Sequence, residues 1–132
     1  MKINSNCARR VLIECEKIPY NKGLYVNELC NKLMEYSNDD ILNILNFFYQ
    51  NDYMEIIAKE YRVKHPLDMD DIIVGLTLKG IESLDYIRDD NLWEEMVTNT
   101  QNSNNLSILY FISLAKRIHI SKQNKIFNIK ED

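Results

Sequence analysis

The run Leu76-Thr77-Leu78-Lys79-Gly80-Ile81-Glu82-Ser83-Leu84-Asp85-Tyr86-Ile87-Arg88-Asp89-Asp90 constrains the fold more than any other part of the chain. It reads as the end of a strand, a capped helix start, and a helix stopped by an acidic pair. Thr77 is suited to cap the helix, because its hydroxyl can accept from an amide that the first turn leaves unpaired. Gly80 falls in that first turn, where a missing side chain lets another backbone segment come close. Ile81, Leu84 and Ile87, with Leu78, recur at helical spacing and form the expected buried stripe.

The remaining elements follow from similar signals. Residues 5–18 are expected to be a helix capped by Ser5 and stopped by Pro19, burying Ala8, Val11, Leu12, Cys15 and Ile18, with Arg9, Arg10, Glu14 and Lys17 outside. Leu24-Tyr25-Val26 suggests a short strand. A second helix is expected from Asn27 to Tyr36 and a third from Asn38 to Gln50, separated by a tight turn in which Ser37 and Asp40 resemble a capping box. The third helix should turn Ile41, Leu42, Leu45, Phe48 and Tyr49 inward. Tyr53–Arg62 and Asp71–Leu76 read as a hairpin whose tip is the breaker-rich Lys64-His65-Pro66-Leu67-Asp68. A further helix over 92–98, capped by Asn91, should bury Trp93, Met96 and Val97.

Two short helices on a tight turn, then a hairpin feeding a helix, define the expected architecture. It is mainly α with a small β-wing (α+β), a winged helix-turn-helix with a two-helix C-terminal extension. The expected organisation is a domain over 1–98, a polar linker at 99–105, an apolar helix at 106–120 and a polar tail at 121–132.

Composition narrows the function. The chain has 132 residues and a net charge of −4, so it lacks the overall basic footprint of a strong non-specific DNA binder. The charge is uneven: residues 1–66 carry nine basic and nine acidic side chains, 67–98 two and nine, 99–132 five and two. Cys7, Cys15 and Cys30 are odd in number and lack CxxC spacing, which argues against a disulfide framework or a zinc site. No apolar run reaches membrane-spanning length and the start has no apolar signal core, so a cytoplasmic location without membrane attachment is expected. His65 and His119 are far apart, and no phosphate loop, HExxH, GxSxG or calcium-loop spacing occurs. No enzyme, cofactor or metal is expected.

Asp85-Tyr86-Ile87-Arg88-Asp89-Asp90 followed by Leu92-Trp93, downstream of Leu76-Thr77-Leu78-Lys79-Gly80, resembles the phage- and prophage-borne family catalogued as domain of unknown function 2513. The resemblance covers most of residues 5–98 and implies a small winged-helix protein of phage origin. It departs from the family pattern at Ile81, which replaces a His, at Asn43-Ile44, where the family commonly has a His, and at Asp52, which stands where a Gly often closes the third helix.

Three surfaces could carry function. Asn43, Asn46, Phe47 and Gln50 share the outer face of the third helix, and such amides can pair with the N6/N7 edge of adenine in the major groove; a solvated face is the alternative. Arg62 and Lys64 near the hairpin tip could touch phosphate, although Asp68, Asp70 and Asp71 follow at once. Asp85, Asp89, Asp90, Glu94 and Glu95 form an acidic surface that could stabilise the helix corner, pair with Arg88, or meet a basic partner. The last helix is apolar nearly all round, so one face is expected to pack internally while Ile108, Phe111, Leu114 and Ile118 meet a second copy in a homodimer. The leading expectation is a DNA-binding transcriptional regulator. The other is a non-enzymatic phage protein that binds and inhibits a host or defence protein.

Overall fold

The computed structural model describes residues 3–57, 67–100 and 107–131, the last six of these by backbone alone. Its elements are α1 (Ser5–Glu16), β1 (Leu24–Tyr25), α2 (Val26–Lys32), α3 (Asn38–Gln50), β2 (Met54–Ile57), β3 (Ile72–Leu76), α4 (Leu78–Ile87), α5 (Asp90–Asn99) and α6 (Ile108–Glu131). The fold is therefore mainly helical, with a three-stranded antiparallel sheet in the order β1-β3-β2.

The β3–α4 junction forms as its sequence predicts. Thr77 Oγ1 accepts from the Gly80 amide at 3.1 Å and donates to the Asp52 carbonyl at 2.5 Å. The Tyr53 carbonyl accepts from the Thr77 amide at 3.1 Å, and a Cβ on Gly80 would fall onto that same carbonyl oxygen. The close approach allowed by Gly80 thus seats α4 against the start of β2. Asp52 adopts φ 64°, the left-handed conformation that closes α3. Val74 is the extra residue of a bulge, since Glu55 pairs with Gly75 and Ile56 with Ile73.

One core joins these elements. Leu12 of α1, Leu29 of α2, Ile41, Leu45 and Phe48 of α3, Ile73 of β3, and Leu84 and Ile87 of α4 are fully buried. Trp93 packs on Phe111 with ring centroids 4.9 Å apart, and its indole N–H donates to Asn6 Oδ1 at 2.8 Å. Phe111, Ile108 and Ala115 are buried in the same cluster. The last helix is thus part of the core, not an extension beyond a domain at 1–98, and it continues through Glu131 where a polar tail was expected.

Other expectations are corrected. Asn4, not Ser5, caps α1, and Asp89, not Asn91, caps α5 by accepting from the Leu92 amide at 3.0 Å. α2 stops at Lys32, and Leu33 beyond it is buried without being helical. Tyr49 and Leu78 are exposed, and Ile81 is largely so, because α4 buries the Gly80-Leu84-Ile87 side instead. Arg9 is only 7% exposed, although a charge at that position was expected in solvent. Of the expected polar linker at 99–105, Asn99 ends α5; residues 101–105 of it, Leu106 and the hairpin residues 58–66 lie outside the described residues.

Candidate functional site

α3 begins after Ser37, whose hydroxyl accepts from the Asp40 amide at 3.1 Å. Its expected recognition face is partly committed to the fold. Asn46 Oδ1 accepts from the Leu67 amide at 3.1 Å and so anchors the return arm of the hairpin. Phe47 is half-buried, with its ring 5.7 Å from that of Phe48. Asn43 is half-exposed and Gln50 exposed, so these two amides remain at the surface. The exposed Asp39 and Asp40 occupy the first turn of the same helix. They favour the helix dipole and oppose a phosphate there. Arg62 and Lys64 lie outside the described residues. Asp71, read as the start of the return strand, is buried, and its Oδ2 accepts from the Asp68 amide at 2.7 Å.

The acidic surface divides into structural and free groups. Arg88 meets Glu16 through two bonds of 2.6 Å and Asp85 through one of 2.6 Å. These bonds raise the affinity of the Arg88 guanidinium for its proton and hold the Glu16 carboxyl below its usual range. Asp89 caps α5. Asp90 accepts from Arg9 Nη2 at 2.6 Å. Asp85, Asp89 and Asp90 therefore build the corner between α4 and α5, while Glu94 and Glu95 are exposed on α5. Glu82, Asp85, Tyr86 and Asp89 line a cleft of about 410 Å3 together with His119 and Lys122 of α6. The Tyr86 and His119 rings meet edge-on at 5.8 Å.

Arg9 is the residue that sequence reasoning missed at this corner. Its Nε donates to the Ile87 carbonyl and its Nη2 to the Arg88 carbonyl, both at 2.8 Å, and its guanidinium lies 5.3 Å from the centre of the Trp93 ring. It satisfies carbonyls that the end of α4 leaves open. The available signal was positional: Arg9 sits between Ser5 and Leu12 on the inward side of α1, where a cation needs partners.

The expected dimer face is corrected as well. Ile108 and Phe111 are buried in the chain's own core, and Leu114 and Ile118 are half-buried against it. Among the described residues, the large apolar side chains that α6 turns to solvent are Leu109, Tyr110 and Ile120. The three cysteines are free and buried. Burial pushes the Cys7 thiol up to about 12 and raises those of Cys15 and Cys30. Among the described residues, no group of three or more His, Cys, Asp or Glu could hold a metal ion, and no helix is long and apolar enough to cross a membrane.

The model of the family described as "Hypothetical protein (DUF2513)" matches residues 2–106. No curated protein and no solved structure matches the chain.

Proposed function

Since the chain belongs to the DUF2513 family of hypothetical proteins, we propose that it is a phage-type winged-helix regulator that binds DNA through α3. The observation that carries this reading is the order of elements: α1, β1, α2 and α3, then a β2–β3 hairpin completing a β1-β3-β2 sheet. In that arrangement α3 is the recognition helix and the hairpin is the wing. Asn43 is the amide placed to read a base, with Gln50 one face-length further along. Arg62 and Lys64 would supply backbone contacts from the hairpin. Asn46 and Phe47 hold the fold in this reading and do not read bases.

Fluorescence anisotropy with duplex DNA at low salt tests the reading. Asn43→Ala should weaken a selected site by ~1–3 kcal/mol, and Lys64→Ala should lower the salt slope by about one. Wild-type protein that binds no duplex tighter than ~10⁻⁴ M would sink it, because ordinary non-specific binding is at least that strong.

A second reading draws on Asp39 and Asp40 in the first turn of α3 and the exposed Glu94 and Glu95 of α5. These favour a basic protein partner over phosphate. In this reading the chain is an inhibitor of a host or defence protein, and a failure to bind DNA is its first expected result.

A further inference from the structure

The outer face of the sheet is unusually apolar for a surface that faces water. Tyr25 pairs with Ile72 and Ile72 with Ile57, so one row of large side chains crosses all three strands. Tyr25 is 50% exposed and Ile57 57% exposed, and the bulge residue Val74 stands out beside them. Antiparallel sheets with a solvated face normally place polar side chains there. Two grooves flank Val74, of about 320 and 520 Å3, and extend the apolar surface to Tyr20 and Ile81 on one side and Tyr49 on the other. Among the described residues, the charged side chains lining them are Glu55, Asp52 and the Arg88-paired Glu16, and no described cation lines either groove.

α6 carries the complementary surface. Ile118 is its last half-buried side chain among the described residues, and residues 119–125 are all exposed. Outward it shows Leu109, Tyr110, Lys116, Arg117 and Ile120, which recur at spacings of three, four and seven and so form one stripe. The cations on this stripe are Lys116 and Arg117, and no carboxylate occurs from Ile108 to Lys125. Apolar side chains interleaved with cations on a helix thus match apolar side chains interleaved with carboxylates on a sheet. A helix packed on one sheet face is the ordinary way to cover it.

We propose that the outward stripe of α6 docks on the outer sheet face of a second copy, and that the exchange is reciprocal, giving a two-fold dimer. Each copy then covers the other's exposed apolar row, and Glu55 meets the cations of α6. This inference is independent of whether α3 binds DNA.

Sedimentation velocity of the full chain across the micromolar range tests it, with thermal melting to show that each variant folds. The 15.7 kDa chain should sediment as a dimer. Ile57→Glu on the sheet and Ile120→Glu on α6 alter exposed side chains, so each should melt like wild type and each should weaken the dimer at least about tenfold, the effect of ~1.4 kcal/mol. An equimolar mixture of the two should associate more tightly than either alone, because the mixed pair keeps one undamaged sheet–helix contact. Glu55→Lys and Lys116→Glu should each weaken the dimer, and the double variant should regain it. The proposal is overturned by a monomeric wild type. It is equally overturned by a dimer lost through Ile57→Glu alone (sheet on sheet) or Ile120→Glu alone (helix on helix), by a mixture that stays monomeric, or by an α6 stripe that takes up duplex DNA while the chain remains monomeric.

Discussion

Replacing Arg9 by Met isolates the polar part of the α4–α5 corner, because Met keeps much of the apolar stem while removing every donor. Three bonds disappear: two to the Ile87 and Arg88 carbonyls at 2.8 Å and one to Asp90 at 2.6 Å. The Ile87 carbonyl is the costly one, since a buried acceptor left without a partner costs ~1–3 kcal/mol. Loss of a cation at the C-terminal end of α4 adds ~0.3–2 kcal/mol. The Asp90 side chain is 85% exposed, so that ion pair contributes at most ~1 kcal/mol. Relief of the cost of burying a guanidinium offsets part of the total. The net expectation is a loss of ~3 kcal/mol, which for a chain of this length lowers the melting temperature by about 10–15 °C. Asp90→Asn, in contrast, should cost under ~1 kcal/mol. Urea unfolding of both variants, with wild type alongside, measures the difference. An Arg9→Met variant within ~1 kcal/mol of wild type would refute the reasoning, as would an Asp90→Asn variant that is equally unstable.

Trp93→Ala should cost ~3–5 kcal/mol, and together with Arg9→Met less than the sum, because the guanidinium and the indole are in contact; additive losses by denaturant titration would count against that coupling. Gly80→Ala should destabilise by ~2–3 kcal/mol, the cost of forcing a methyl group into filled space, here the Tyr53 carbonyl; an unchanged melting temperature would contradict the close approach. Glu16 is held below its usual range by Arg88, so its contribution is fully present above the ordinary carboxylate value and is lost as pH falls through the lower folded value. Wild type should therefore lose more stability than Arg88→Gln between neutral and acidic pH, and parallel stability curves would show that the pair contributes nothing. Cys7, Cys15 and Cys30 are buried with raised thiol affinities for protons, so a thiol reagent at mildly alkaline pH should label them only as fast as the chain opens; immediate labelling of any one in the native protein would place it at the surface.

What the sequence revealed was local. Thr77 and Ser37 cap helices within one turn of their own position, so residue type and spacing were enough to assign those roles; a glycine in the first turn signalled a close approach at Gly80, while its partner, the Tyr53 carbonyl, showed only in the structure. Caps drifted by a residue or two where neighbours could do the same job, as in Asn4-Ser5 and Asp89-Asp90-Asn91. Roles set by distant partners were hidden. Arg9 bonds to groups 78 to 81 positions away, and Asn46 to one 21 away; helical periodicity carries no information on either. The two faces of α6 were legible as apolar, but which of them turns inward depends on where Trp93 presents its ring to Phe111. For the candidate site the same limit applies. Of the four residues read as the outer face of α3, Gln50 is exposed and Asn43 half-exposed, while the commitment of Asn46 and Phe47 to the fold became visible only in three dimensions.

The match to the family ends at residue 106, yet Ile108, Phe111 and Ala115 are part of the core. The unit of recognisable ancestry and the unit of cooperative folding are therefore different lengths in this chain. A chain cut at the family boundary would keep every motif by which the family is recognised and would lose the wall on which Trp93 rests. Its exposed indole and the bared side of α4 would then present fresh apolar surface to other molecules. Measurements on such a fragment would report the stickiness of an unfinished core, and binding seen with it could not be credited to the intact protein.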